Sequence, residues 1–177
     1  GNDLEWEPFC SWLKEAACKY ECVIYVPGNH DRMFSGVRDL RYIEEARPAN
    51  VLINRTLSYK GYTFLGSPVM RALDDNPRAY YWSDDLRRIF WENLWAINHQ
   101  IVITHAPMYG TLDLARGENL GCEYLGRHVS RRQPLLHIHG HIHQAYGWEY
   151  SNKTYSVNAA LCNLETEPVN PPWLINI

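Results

Sequence analysis

The chain of 177 residues has a net charge of −3, with 46% hydrophobic and 21% charged residues, which is typical of a globular protein. This length suits one domain with a sizeable core, and we expect a single domain over residues 1–177. The negative charge argues against a protein that coats nucleic acid electrostatically. No apolar run approaches the ~20 residues of a membrane-spanning helix, and no signal peptide is recognisable, so we expect no membrane association.

The cysteines point to a reducing compartment. The chain contains Cys10, Cys18, Cys22, Cys122 and Cys162. An odd number without any CxxC pair favours reduced thiols in the cytoplasm over a disulfide framework. The same spacing argues against a cysteine-based zinc site.

The first third of the chain predicts a helix followed by strands. The opening residues have apolar side chains near one helical stripe: Phe9, Leu13, Ala16, Ala17 and Tyr20. The apolar run 21–26 ends at Pro27-Gly28 and predicts a buried strand. A weak helical pattern covers 32–47. Strands are then predicted over 50–54 and 57–67, with a turn at Lys60-Gly61.

Helices and strands continue to alternate in the rest of the chain. A loop is expected over 67–83, followed by a helix with Ser83 as its N-cap. The apolar face of this helix is predicted to consist of Leu86, Ile89, Phe90, Leu94 and Ile97. Further predicted elements are a strand at 100–105, a long loop at 105–121, a helix at 122–132, a strand at 134–139, a hairpin around Ser151-Asn152 and a last strand at 170–177. The alternation predicts a mixed α/β sandwich.

Polar side chains of similar chemistry follow three apolar strands, in VIYVPGNHD (23–31), IVITHAP (101–107) and LLHIHGHIH (135–143). Ligand sites in open α/β sheets form beyond the carboxyl ends of strands, so we expect these side chains to converge. The candidates are Asn29, His30, Asp31, His105, His141 and His143. Imidazole and carboxamide groups suit Mn, Fe, Co, Ni or Zn. For the last two histidines the alternative is an exposed polar loop.

The remaining histidines are not expected to bind a metal. His137 and His139 lie two positions apart on a predicted strand, so they share one face of it. They are better explained as hydrogen-bonded strand residues, or as residues that orient ligands, than as ligands themselves. We expect His99 and His128 at exposed positions without a functional role.

GNHD, THAP and GHIH, in this order, resemble the last three signature motifs of the calcineurin-like metallophosphoesterase superfamily. The stretches KGYTFLGSP, THAPMYGTLD and NPPWLINI resemble its subgroup of small metallophosphoesterase-domain proteins. The resemblance spans essentially the whole chain and implies two facing mixed β-sheets flanked by helices. The first two motifs of the family, DxH and GD, do not occur here. The resemblance implies that they lie upstream of Gly1 with the first strands, so that the domain is N-terminally incomplete.

The resemblance also implies roles for individual residues. Asn29, His105 and His141 would bind one divalent ion and His143 a second, with Mn²⁺, Fe²⁺, Zn²⁺, Ni²⁺ or Co²⁺ as candidates. His30 would protonate the leaving oxygen of a phosphate ester. Asp31, the next residue, would hold the ring of His30 by a hydrogen bond. It could also cap the helical segment that begins at Arg32.

The expected function is metal-dependent hydrolysis of a small phosphate ester, such as a nucleotide-like phosphodiester. Arg32, Arg71 or Arg78 could bind its phosphate, and Tyr81 and Trp82 could stack on a base, although solvated arginines and packed rings are simpler interpretations. Two alternatives stay open. The first is an inactive domain that binds metal or phosphate or acts as an interaction module. The second is another metallohydrolase, against which the GNHD motif argues.

Overall fold

The computed structural model describes residues 3–34, 39–72, 78–94 and 97–177, which form a mixed α/β fold. The helices of these residues are α1 (Asp3–Lys19), α2 (Asp39–Glu45), α3 (Asp84–Asn93) and α4 (Glu123–Arg132). The strands are β1 (Ile24–Tyr25), β2 (Asn50–Val51), β3 (Arg55–Tyr59), β4 (Tyr62–Ser67), β5 (Met70–Arg71), β6 (Tyr81–Trp82), β7 (Ile101–Thr104), β8 (Leu114–Ala115), β9 (Glu118–Asn119), β10 (Leu136–His139), β11 (Gly147–Ser151) and β12 (Thr154–Asn158). Parts of the segments predicted over 32–47, 67–83 and 83–98 lie outside the described residues.

A six-stranded mixed sheet in the order β11-β12-β10-β7-β4-β3 organises the molecule. Its four inner strands are parallel, as shown by the pairing of Ile138 with both Ile103 and Val157. The edge strands β3 and β11 are antiparallel to their neighbours. The mixed α/β architecture predicted from the sequence is therefore confirmed. Because the inner strands run the same way, their carboxyl ends meet at one edge of the sheet.

Both faces of this sheet are covered by apolar side chains. On one face, the paired residues Leu65 and Val102 pack against Trp91 of α3 and Leu125 of α4. The cluster on the opposite face consists of Ile101, Leu136 and Val157 with their partly buried neighbours. Fully burying each such side chain stabilises the fold by about 1.5–3 kcal/mol. This packing fixes the positions of the strand ends that carry the polar motifs.

A separate two-stranded parallel sheet, β1 with β2, packs with α1 and α2 around Trp6 and Phe34. It meets the six-stranded sheet at Gly66, where a Cβ atom would lie 2.2 Å from the Cβ of Leu52. Only a residue without a side chain fits so close an approach. Within the described residues, β1 and β2 represent the second sheet that the resemblance implies, and β1 leads directly into the segment with Asn29.

The buried face of α3 agrees with the predicted one at Leu94 and Phe90, which pack in the core, but differs from it elsewhere. Leu86 is 53% and Ile89 is 49% exposed, whereas Arg87 and Trp91 are buried. The indole ring provides more apolar area than either aliphatic chain. The buried guanidinium is satisfied because it donates to the carbonyl of Trp82 and to the carboxylate of residue 84. The predicted N-cap is confirmed, since the backbone N–H of residue 86 donates to the hydroxyl of residue 83.

The prediction of a last strand over 170–177 is wrong, because these residues, all of them described, contain no strand. Pro171 and Pro172 have no N–H group to donate to a neighbouring strand. The segment is instead held by side chains: the hydroxyl of Tyr146 donates to the carbonyl of Pro171, and its ring stacks on Trp173. Two predicted loops also contain short strand pairs, β5–β6 and β8–β9. In the described part of the chain, no helix has both the length and the apolarity that crossing a membrane requires.

Candidate functional site

Side chains from three separate segments meet at the carboxyl edge of the six-stranded sheet. His105 follows β7, His141 follows β10, and Asn29 lies in the turn after β1. The Nε2 atom of His105 is 2.9 Å from Oδ1 of Asn29, and its ring centroid is 4.8 Å from that of His141. The structure thus brings together three of the residues that the sequence singled out.

Gly28 allows the Asn29 segment to lie directly against the ring of His105. A Cβ atom at Gly28 would be 2.6 Å from Cε1 of His105, which is closer than such atoms approach. The turn is closed by Asp31, whose Oδ2 accepts a 2.6 Å hydrogen bond from the backbone N–H of Gly28. The short 3₁₀ helix Arg32–Phe34 follows this turn. The side chain of Asp31 therefore stabilises the turn before this helix, and whether it also holds the ring of His30 stays a prediction.

A buried asparagine orients the turn that carries His141. Asn158, the last residue of β12, is fully buried and donates from Nδ2 to the carbonyl of Ile142 at 2.8 Å. The backbone N–H of Gly140 donates to the carbonyl of His105 at 3.0 Å, which ties the two predicted ligand loops together. His141 has a φ of 67°, a left-handed conformation that these hydrogen bonds maintain. Asn158 was not among the predicted site residues, although it is a polar residue at a strand end like the predicted ligands.

His143 lies in the 3₁₀ helix His143–Ala145 beyond this turn, and its Nδ1 is 2.7 Å from the carbonyl oxygen of Asn163. A carbonyl oxygen can only accept, so Nδ1 carries the proton. In the neutral form of this tautomer, the lone pair is on Nε2. A backbone carbonyl that fixes the tautomer in this way is a usual partner of metal-binding histidines.

The histidine rings at this edge lie close enough to affect each other's ionisation. The pKa of His105 is lowered to about 3, first by burial and then by the neighbouring His141 and His30. The pKa of His141 is lowered to about 4, first by burial and then by His143 and His30. Both rings are therefore neutral at physiological pH, which is the form of imidazole that binds metal ions.

His30 is exposed at this edge and contacts an arginine. The Nη1 atom of Arg78 is 2.9 Å from Nε2 of His30. Because a guanidinium group donates and does not accept, Nε2 is the acceptor in this contact. The pKa of His30 is lowered, first by burial and then by the positive charge of Arg78. Arg78 was predicted from the sequence as one of three arginines that could bind phosphate, with a solvated position as the simpler interpretation. In the structure its guanidinium group lies beside His30.

His137 and His139 share one buried face of β10, as predicted, with ring centroids 5.0 Å apart. The hydroxyl of Thr104 donates to the carbonyl of Ala106 at 2.6 Å, so its oxygen accepts from Nε2 of His137 at 2.9 Å. This chain of hydrogen bonds lies directly behind the turn that begins at His105. It supports the interpretation of His137 as a residue that orients its neighbours.

The prediction that His99 and His128 are exposed is wrong. They are 3% and 4% exposed, and their Nε2 atoms are 2.9 Å apart. The Nδ1 atom of His128 is 3.3 Å from the carbonyl oxygen of Trp91, so Nδ1 carries the proton and Nε2 accepts from His99. His99 lies in the segment before β7 and His128 lies on α4, so only tertiary packing brings the two histidines together.

A family model of calcineurin-like phosphoesterases matches residues 1–145. The chain belongs to the calcineurin-like phosphoesterase family. It is 31% identical over 206 residues to metallophosphoesterase domain-containing protein 1 of Homo sapiens, and equally to that of Mus musculus. These alignments cover 100% of the chain and 61% of each relative, so the chain spans less than two thirds of their length. The family and subgroup inferred from the motifs are confirmed.

More distant similarities agree with this assignment. A UPF0046 protein of Caenorhabditis elegans is 26% identical over 188 residues, which cover 90% of the chain and 47% of that relative. A solved crystal structure superposes with a TM-score of 0.67 at 18% identity, over 88% of the chain and 63% of its own. At this identity the superposition shows a shared fold.

Calcineurin-like phosphoesterases generally depend on divalent metal ions, and the donor set here is compatible with one. Across the four described ranges, no three histidine, cysteine, aspartate or glutamate side chains form a ready-made ligand group. The edge instead offers the amide oxygen of Asn29 with the neutral rings of His105 and His141. Nε2 of His105 and Oδ1 of Asn29 lie 2.9 Å apart, within hydrogen-bonding distance, and both are atom types that can coordinate a metal ion.

The residues predicted to bind the rest of a substrate lie in two other segments. Arg32 is exposed in the 3₁₀ helix after the GNHD turn. Tyr81 and Trp82 form β6 and are half-buried, and the indole ring packs edge-on against Phe90 with centroids 5.6 Å apart. This contact agrees with the simpler interpretation of a packed ring. The substrate-binding roles of Arg32, Tyr81 and Trp82 stay predictions.

Proposed function

We propose that this chain provides the hydrolytic site of a metal-dependent phosphodiesterase that acts on small, nucleotide-like phosphate esters. The observation that carries the proposal is the contact of Asn29, His105 and His141 at one edge of the sheet, in a member of the calcineurin-like phosphoesterase family. The five cysteines are all free, which supports a cytoplasmic location.

Asn29, His105 and His141 would hold one divalent ion, and His143 would contribute to a second, with Mn²⁺ as the first choice for assays. The neutral state of His105 and His141 and the available Nε2 of His143 support these assignments. When bound, divalent ions supply Lewis-acid stabilisation of the negative charge on a phosphoryl group. The protein contributes the fixed spacing of the donor atoms, since Gly28 and the hydrogen-bonded turns leave the rings little freedom to move.

His30 would donate a proton to the leaving oxygen. Its exposure supports this role, since an incoming ester can reach it. Donation from Nε2 requires that Arg78 first turn its N–H group away, because both groups cannot donate across the same contact. The pKa of His30 is lowered, first by burial and then by Arg78, which disfavours the protonated ring; the negative charge of Asp31 opposes this lowering in part.

The proposal is tested by hydrolysis of bis-p-nitrophenyl phosphate by the full-length protein, with Mn²⁺ and with EDTA. We expect turnover only with the metal, and we expect His105→Ala and His141→Ala each to abolish it while the circular dichroism spectrum is retained. Gln144→Ala is the matched control, because this exposed residue lies next to His143 and is not one of the proposed ligands. Metal binding without any hydrolysis would favour the alternative of an inactive binding module.

A further inference from the structure

Arg78 is held close to the turn that carries Asn29. The backbone N–H of Ala79 donates to the carbonyl of Asn29 at 3.2 Å. The next residue, Tyr80, has a φ of 63° and donates from its hydroxyl to the carbonyl of Phe34 at 2.9 Å. The backbone at Arg78 is therefore tied on its carboxyl side to the same turn that carries a predicted metal ligand.

The guanidinium group of Arg78 faces the site. Its Nη1 atom contacts Nε2 of His30 at 2.9 Å. His30 is exposed and directly follows Asn29 in the same turn. The guanidinium group therefore lies beside the proposed proton donor, where an ester of the proposed function would react.

We propose that Arg78 binds a non-bridging oxygen of the phosphate group and thereby selects anionic phosphate esters at this site. The inference rests on the proposed function, since it assigns the substrate contact of that same site. The planar guanidinium matches the geometry of phosphate oxygens, and its hydrogen bonds to an anion are about twice as strong as those between neutral groups. An incoming phosphate therefore replaces the neutral imidazole of His30 as the preferred partner, while the backbone of residues 78–80 stays in place.

The experiment measures the affinity of the Mn²⁺-loaded full-length protein for inorganic phosphate by isothermal titration calorimetry. We expect Arg78→Ala to weaken phosphate binding by about tenfold to a hundredfold, as for the loss of a charged hydrogen bond. Arg78→Lys retains the charge without the paired donors and should recover part of the loss. Arg127→Ala is the matched control, since this arginine lies on α4 and pairs with Glu123; its phosphate affinity should equal that of the wild type.

A second comparison separates direct binding from an effect through His30. In a His30→Ala background, Arg78→Ala should still weaken phosphate binding by about the same factor. An unchanged affinity in that background would show that Arg78 only positions the histidine, and the inference would be overturned. It is equally overturned if the wild type binds no phosphate. The affinity of each variant for Mn²⁺ should be unaffected.

The two proposals fail in different ways. If the wild type binds phosphate through Arg78 but hydrolyses no ester, the proposed function fails and the inference holds. If the ester is hydrolysed while Arg78→Ala retains full phosphate affinity, the proposed function holds and the inference about Arg78 fails. Should Arg78→Ala lose its native circular dichroism spectrum, Arg78→Gln gives the same comparison, because it removes the charge and retains a hydrogen-bond donor.

Discussion

Replacement of His128 by phenylalanine tests whether the buried pair of His99 and His128 links stability to pH. The pKa of His128 is lowered from 6.5 to about 4, first by burial and then by the neighbouring His99. Between these two pKa values, the unfolded chain binds a proton that the folded chain does not bind. The free energy of unfolding therefore has its full value above the pKa that His128 has in the unfolded chain. It falls as the pH falls towards the pKa that His128 has in the folded protein.

The lowered pKa sets the magnitude of the effect. At about 1.4 kcal/mol per pKa unit, the lowered pKa of His128 makes the folded protein about 3 kcal/mol less stable at acidic than at neutral pH. Phenylalanine keeps a ring against Trp91 but leaves the Nε2–H of His99 without its acceptor, which costs about 1–3 kcal/mol at neutral pH. The gap between variant and wild type should then shrink by about 2 kcal/mol by pH ~5.

Urea unfolding followed by circular dichroism, between about pH 7.5 and pH 5, measures both free energies of unfolding. Val129→Ala is the matched control, because this neighbour on α4 is also buried but cannot ionise. The control should lower the stability by the same amount at every pH. If the His128→Phe and wild-type curves are parallel as well, the pKa of His128 is not lowered in the folded protein and the reasoning is refuted.

Two further substitutions test how the predicted ligands are held. Gly28→Ala should displace the ring of His105 and weaken Mn²⁺ binding in calorimetry, since the added Cβ would lie 2.6 Å from Cε1. The control is Gly140→Ala, whose Cβ would meet nothing within 4 Å and should not crowd the site. Equal losses of Mn²⁺ affinity in both variants would contradict the steric explanation. Asn158→Ala removes the donor to the carbonyl of Ile142 and should cost about 1–3 kcal/mol of stability. It should also speed amide hydrogen exchange in the 140–143 turn, and unchanged exchange there would argue against this role.

Much of the site could be predicted because local sequence determines where a strand ends. The motifs with Asn29, His105 and His141 each follow an apolar run. His105 and His141 follow parallel strands of the same sheet, whose carboxyl ends meet at one edge. The alternation of His137 and His139 with apolar neighbours likewise follows from the period of a strand. These inferences need only the pattern within one segment and the topology of the sheet.

Other features depend on which segments pack together. The sequence placed Leu86 and Ile89 on the buried face of α3, but the face with Trp91 is buried because α4 covers it. His99 and His128 are unremarkable in the sequence because each gains its partner only when the segment before β7 packs against α4. No local pattern records such a contact.

Motifs and periodicity are properties of neighbouring positions, so they sufficed to predict the family and the polar residues that follow the longer apolar strands. The contact of Arg78 with His30 and the hydrogen bond from Asn158 to the turn with His141 could be found only in the folded chain. Both contacts join residues far apart in the chain. Their geometry follows from how the sheet and its loops pack, and a side chain acquires such a partner only when that packing is complete.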